Sequence, residues 1–125
     1  MSSVLFYAKG GAGSPLDSTK LLDELCGQPE LITRLLHTFQ ADAQRDIDQL
    51  EAALAASDSN MIAAFAHRLK GSAATVGAES LRVRAAQIED LGRQGALQQA
   101  SSRMSELRGE FDRLCSYLQE LRNSE

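Results

Sequence analysis

Hydrophobic positions recur along most of the chain at three- and four-residue steps, the spacing that places side chains on one face of an α-helix. Pro29 suits the first turn of a long helix. The core-facing positions that follow it are Ile32, Leu36, Phe39, Ala43, Ile47, Leu50 and Leu54. The last part of the chain repeats this spacing at Leu97, Ala100, Met104, Leu107, Phe111, Leu114, Leu118 and Leu121. Both segments are therefore predicted to be long amphipathic helices, the last one continuous from Leu97.

Two shorter helices are predicted between them. The segment "ASDSN" offers Ser57, Asp58 or Ser59 as the N-cap of a helix that runs to about Val76, where Gly77 ends it. The next helix begins near Ala78, ends where Gly92 and Gly95 interrupt the pattern, and buries Leu81, Ala85, Ile88 and Leu91. These two helices connect the two long ones through short turns.

The N-terminal part is predicted to differ from the rest. Residues 1–16 are rich in Ser, Gly and Ala, which favours a flexible leader or linker. A short helix follows over residues 17–27, ending at Gly27. Its aliphatic residues would cap the end of the bundle or face a partner, and they are Leu21, Leu22 and Leu25.

Together these elements predict an all-α protein. Four amphipathic helices joined by short turns bury their apolar faces most simply as an antiparallel four-helix bundle, here with a short extra N-terminal helix. We assign the folded domain to residues 17–125.

Composition and charge argue against several classes of function. The 125 residues include 13 Lys and Arg against 17 Asp and Glu, and without a basic stripe we expect no nucleic-acid partner. Cys26 and Cys115 fit neither a disulfide framework nor a metal site and are predicted to be reduced, half-buried thiols. No apolar run reaches membrane length, and "SVLFYAKGG" lacks the basic segment of an export signal, so we expect a cytoplasmic protein without a membrane partner.

The helix that ends at Gly77 presents a histidine to solvent. Its inward face is predicted to comprise Ile62, Phe65, Ala66, Leu69, Ala73 and Val76, which leaves His67 pointing outward. The residues one or two turns from the imidazole are Ala63, Ala64, Lys70, Gly71 and Ala74. Gly71 costs the helix about 1 kcal/mol relative to Ala. Either its small size lets another protein surface approach His67, or it lets a neighbouring helix of the same chain pack closely.

The stretch "AHRLKGSAATVGA", residues 66–78, resembles the signature of histidine phosphotransfer (HPt) domains. The matching positions are His67, Leu69, Lys70, Gly71, Ser72 and Gly77, followed by Ala78. The similarity extends over residues 17–122 and includes the "IEDLGRQG" stretch at residues 88–95.

This resemblance implies a four-helix bundle whose exposed His67 carries a phosphoryl group between receiver domains of a multistep phosphorelay. The partners implied are response-regulator receivers and a hybrid sensor histidine kinase. Any Mg²⁺ would reside in the receiver, and this chain would bind no cofactor or metal. We expect a monomer. We also expect no kinase activity of its own, because the sequence lacks a Gly-rich phosphate loop.

The residue types suit that chemistry. A neutral imidazole at His67 supplies a nucleophilic nitrogen, and the ammonium of Lys70 can stabilise the phosphoryl charge. The resemblance also implies that Glu89, or less well Gln87, orients the imidazole. Because a carboxylate would also favour the imidazolium, its net effect on rate stays open.

The same surface supplies candidate docking residues, and these are Ala63, Ala64, Arg68, Gly71 and Ala74. Arg68 would meet an acidic receiver rim, or it is simply a solvated surface charge. His37 lacks a metal-binding partner motif and is interpreted as a surface residue. Two other functions fit the same helices: a helical adaptor without chemistry, and a regulatory HPt-like protein that binds receivers without phosphotransfer. The intact His67 argues against the second.

Overall fold

The computed structural model describes residues 28–124, which form five helical segments and contain no strand. In chain order these are α1 (Pro29–Ala55), α2 (Ser59–Val76), α3 (Glu79–Arg93), α4 (Leu97–Ser102) and α5 (Met104–Ser124). The predicted leader, the predicted helix over residues 17–27 and Cys26 lie outside the described residues.

The predicted antiparallel four-helix bundle is confirmed. Connections of two or three residues reverse the chain between α1, α2 and α3, and α4 with α5 supplies the fourth helix of the bundle. The most extensive packing joins α2 to α3, followed by α1 to α2. As a result, one long face of α2 lies against its two neighbours while the opposite face is open to solvent.

The two turns that bound α2 follow from local chemistry. Of the three candidate caps, Asp58 takes the position: its side chain accepts a hydrogen bond from the backbone N–H of Met61 at 3.2 Å. Gly77 ends α2 in the left-handed conformation with φ of 75°, which glycine adopts without a Cβ clash. Both helix-end predictions are therefore confirmed, and α2 has a fixed length and direction.

The predicted apolar faces form the core. Its fully buried large side chains include Phe111, Ile47, Ile62, Leu69, Ile88 and Leu107. Four predicted core residues are only partly buried and pack on its edge, namely Leu54, Phe65, Leu91 and Leu97. The side chain of Leu121 lies outside the described residues.

The prediction of one continuous last helix was wrong, because the chain breaks at Arg103 into α4 and α5. Ser102 Oγ donates to the carbonyl of Gln99 at 2.8 Å, and the N–H of Arg103 bonds to Ala100 only three residues back. Such local bonds compete with the regular helical ladder. Arg103 keeps right-handed backbone angles, so the hydrophobic face continues across the break and its periodicity gives no sign of it.

The structure corrects the role predicted for Gly92 and decides between the two explanations given for Gly71. Gly92 does not interrupt α3, which continues to Arg93; it is buried where α3 meets α2. A Cβ added there would lie 2.8 Å from Ile62 Cγ2 and 3.1 Å from the backbone nitrogen of Ala63. A Cβ added at Gly71 would meet nothing within 4 Å. The internal-packing explanation therefore applies to Gly92 and fails for Gly71.

Candidate functional site

His67 lies on the open face of α2, as predicted, with 60% of its side chain exposed. The predicted docking residues surround it on the same helix. Ala64, Arg68 and Gly71 are exposed, whereas Ala63 and Ala74 are half-buried. The small side chains of Ala64 and Gly71 thus leave the imidazole accessible from outside the bundle.

A buried carboxylate lies directly behind the imidazole. Glu89 of α3 is only 3% exposed, and its Oε2 lies 2.9 Å from His67 Nδ1. Lys70 Nζ contacts the other oxygen, Oε1, at 2.6 Å. Arg93, one turn further along α3, places Nη2 2.5 Å from Oε2. The structure therefore brings Lys70 close to His67 as the sequence predicted, brings Glu89 there as the family resemblance implied, and adds Arg93.

This arrangement determines the protonation of Glu89. Burial by itself raises the pKa of the Glu89 carboxyl, but hydrogen bonds from Lys70, His67 and Arg93, with the charge of Lys70, together bring that pKa below its ordinary value. Glu89 is consequently ionised at neutral pH and can only accept hydrogen bonds. The short contact then requires His67 to donate from Nδ1–H, so that in the neutral ring the lone pair is on Nε2.

The lowered pKa of Glu89 predicts a specific acid sensitivity. A carboxyl whose pKa is lower in the folded protein stabilises the fold fully above its ordinary value of 4.5, and this stabilisation is lost as pH falls through the lowered pKa. Urea unfolding from about pH 6 to about pH 3 should show wild type losing more stability than Glu89→Gln. A constant stability difference between the two proteins across that range would contradict this account.

A second buried carboxylate lies on the α1 side of His67. Asp46 Oδ1 lies 3.6 Å from Nη2 of Arg68, and the Asp46 side chain is 4% exposed. Burial raises the pKa of Asp46, against the opposing charge of Arg68. The guanidinium of Arg68 also lies 5.8 Å from the ring centre of Phe65. Arg68 is therefore an anchored surface cation, and the interpretation as a simply solvated charge was incomplete.

An open groove of about 550 Å³ runs beside the imidazole. It is lined by Ser59, Asn60, Ala63, Ala64, His67, Arg68 and Arg93. Its floor is thus made of small α2 residues, and a guanidinium lies on each side. The shape and charge of the groove suit a protein surface that carries acidic groups.

Sequence reasoning missed Arg93 and Asp46, although both left a signal. Arg93 follows Glu89 by four residues, the spacing of a helical Glu–Arg ion pair. Asp46 directly precedes Ile47 within the hydrophobic face of α1, where an acidic side chain needs a partner. Either pattern could have directed attention to the surroundings of His67.

The remaining candidates lie apart from the site. Gln87 accepts a hydrogen bond from Arg84 at 3.4 Å. His37 is exposed on α1 and Cys115 is half-buried outside any disulfide. Within residues 28–124, no group of three or more potential ligands could hold a metal ion. In the same part of the chain, no helix is long and apolar enough to cross a membrane.

The fold and site define a class: a helical bundle in which the exposed imidazole of His67 is held from behind by a buried carboxylate. The family model described as Hpt domain matches residues 34–123. The chain therefore belongs to the Hpt domain family, and its role is histidine phosphotransfer.

Solved structures agree with this assignment. The chain is similar to histidine-containing phosphotransfer protein B from Pseudomonas aeruginosa PAO1, with TM-score 0.83 and 27% identity, covering 92% of this chain and 99% of that one. It is also similar to a histidine-containing phosphotransfer protein from maize, with TM-score 0.80 and 25% identity over 99% and 100% of the two chains. A putative rice protein of this kind shares the fold at 19% identity, with TM-score 0.81 over 98% of this chain and 93% of that one. No curated protein sequence matches.

Proposed function

We propose that His67 accepts a phosphoryl group from the aspartyl phosphate of one receiver domain and passes it to the aspartate of another. The observation that carries this proposal is the contact between His67 Nδ1 and the buried, ionised Glu89 at 2.9 Å. This contact directs Nδ1 toward the bundle and leaves Nε2 as the nucleophilic nitrogen of a side chain that is 60% exposed.

The proposed transfer requires positioning more than acid–base catalysis. The Nε2 lone pair of His67 attacks phosphorus as the bond between phosphorus and the receiver's carboxyl oxygen breaks. The aspartate leaves as a carboxylate, and the proton on Nδ1 remains hydrogen-bonded to Glu89. The reverse sequence of the same steps passes the group to the next receiver.

The groove beside His67 supports docking of a receiver. Ala64 and Gly71 are exposed and small, and Gly71 borders open space. Arg68 and Arg93 are each 62% exposed and can pair with acidic groups around the receiver's aspartate. We assign any Mg²⁺ to the receiver and none to this chain. A hybrid sensor histidine kinase would begin the relay, and the protein would act as a cytoplasmic monomer.

The decisive experiment supplies the protein with receivers carrying radiolabelled phosphate. Transfer should produce acid-labile, alkali-stable phosphate on this chain, and a second, unlabelled receiver should then remove it. Incubation with labelled ATP alone should leave the chain unlabelled. Stable receiver binding without any labelling would instead identify the protein as an adaptor.

Lys70→Ala should slow transfer in both directions without unfolding the domain. The ammonium lies against Glu89 and one turn from His67, where it can also stabilise the phosphoryl charge. Loss of one charge-assisted contact costs about 1 to 3 kcal/mol, which slows the reaction roughly 5- to 150-fold. Rapid-quench kinetics with saturating phosphorylated receiver measures this effect.

Arg103→Ala is the matched control for Lys70→Ala, because it also removes one positive charge. The Arg103 side chain pairs with Glu106 at the start of α5. Its transfer rate should equal that of wild type. Equal rates for Lys70→Ala and wild type would remove Lys70 from the mechanism.

A further inference from the structure

We propose that Arg93 is a positioning residue that makes Nε2 of His67 favour a phosphoryl group over a proton. This inference rests on the proposed function of His67. It answers the question that the sequence left open, namely how a carboxylate can orient the imidazole without also holding it as an unreactive imidazolium.

One oxygen atom of Glu89 connects Arg93 to the imidazole. Glu89 Oε2 receives both His67 Nδ1 at 2.9 Å and Arg93 Nη2 at 2.5 Å. The guanidinium and the imidazole are therefore close neighbours through a shared acceptor. Arg93 also lines the groove beside His67, so its charge acts on the space in which a phosphoryl group would arrive.

Charged side chains from three helices surround the imidazole. Glu89 on α3 is the single anionic group in contact with the ring among the described residues, and it favours the protonated form. Lys70 on α2 contacts Oε1 of Glu89, and Arg93 contacts Oε2. On the α1 side, the charge of Arg68 is paired with Asp46. The two cations on Glu89 thus offset its charge while leaving its hydrogen bond to Nδ1 in place.

A proton and a phosphoryl group bring charges of opposite sign to Nε2. A proton brings a positive charge, which Arg93 repels, whereas a phosphoryl group brings almost two negative charges, which Arg93 attracts. One guanidinium therefore acts in opposite directions on the two competing occupants of the same nitrogen. A residue that only supported the fold would change neither preference.

The first test is an NMR titration of the His67 imidazole in wild type, Arg93→Gln and Arg93→Lys. Arg93→Gln removes one positive charge next to the oxygen atom that His67 contacts. The titration midpoint of His67 should therefore rise by roughly 0.5 to 1 pH unit. Arg93→Lys retains the charge and should restore most of the wild-type midpoint. An unchanged midpoint in a folded Arg93→Gln protein would overturn the proposal.

Arg68→Gln is the matched control, since Arg68 is equally exposed at 62% and lines the same groove but pairs with Asp46. It should move the His67 midpoint less than Arg93→Gln does. An equal shift in both variants would mean that general surface charge, and not the contact of Arg93 with Glu89, is responsible, and it would also overturn the proposal.

The second test measures the phosphoryl preference at equilibrium with a phosphorylated receiver. Arg93→Gln should shift the distribution toward the receiver by roughly 3- to 10-fold at pH 8.5, where proton competition is small. At pH 6.5 the initial rate of uptake by Arg93→Gln, relative to wild type, should be lower than at pH 8.5, because a larger fraction of the imidazole is protonated in the variant. A loss in rate that is identical at both pH values, with no change in the equilibrium, would identify Arg93 as a docking contact only.

These measurements separate the inference from the proposed function. The imidazole titration requires neither a receiver nor phosphate, so it tests the charge balance even if no receiver phosphorylates the protein. Failure of wild type to take up phosphate would refute the proposed function, whereas uptake by wild type with unchanged behaviour of Arg93→Gln would refute the role of Arg93 alone.

Discussion

His67→Gln should abolish phosphate uptake while leaving the fold intact. Glutamine lacks a nucleophilic nitrogen, yet its amide N–H can replace Nδ1–H as a donor to Glu89. The side chain at this position is 60% exposed, so little apolar burial is lost. We expect unfolding free energy within about 0.5 kcal/mol of wild type and no measurable acid-labile phosphate.

His37→Gln is the control for that experiment, because it removes the other histidine, which is exposed on α1. It should take up phosphate at the wild-type rate. Residual acid-labile phosphate on His67→Gln would place the acceptor elsewhere in the chain, and circular dichroism melts of both variants would exclude misfolding as the cause of any loss.

Gly92→Ala should destabilise the bundle, although alanine is the better helix former. The added Cβ would lie 2.8 Å from Ile62 Cγ2, a methyl group attached directly to a stiff β-branched carbon, and 3.1 Å from the backbone of Ala63. Overpacking of this kind costs about 1 to 3 kcal/mol. The melting temperature should fall by about 4 °C or more for a domain of this size.

Gly71→Ala and Gly109→Ala are matched controls, because a Cβ at either helical glycine meets nothing within 4 Å. Each should stabilise the protein by about 0.5 to 1 kcal/mol through helix propensity. Gly92→Ala should also slow transfer, since it separates α2 from α3 and with them His67 from Glu89. A melting temperature for Gly92→Ala at or above that of wild type would contradict the close-packing account.

The sequence allowed much of the fold to be predicted because helical faces depend on spacing alone. The buried positions from Ile32 to Leu118 repeat at helical steps, and Gly77 ends α2 where a left-handed residue is needed. The exposure of His67 follows from the same periodicity. The contact of His67 with Glu89 came from the family resemblance, since residues on different helices leave no mark of their distance in the spacing.

Most of the remaining features depend on contacts between elements, which a single sequence does not encode. Gly92 and Gly71 are both helical glycines, and only the position of α2 against α3 distinguishes the packed one from the open one. In the sequence, Arg93 resembles an ordinary surface residue, and its place beside His67 depends on the position of Glu89 behind the imidazole. The break at Arg103 was hidden because the hydrophobic face runs through it unchanged.

The open face of α2 allows the partner specificity of such a protein to change. Ala64 and Gly71 are exposed next to the His67 imidazole and contribute nothing to the buried core. Changes at these two positions alter the shape and charge offered to a partner protein at little cost in stability, whereas a change at Arg68 would leave the buried Asp46 without its ion pair. Partner choice can therefore diverge after duplication of such a protein without compensating changes in its interior.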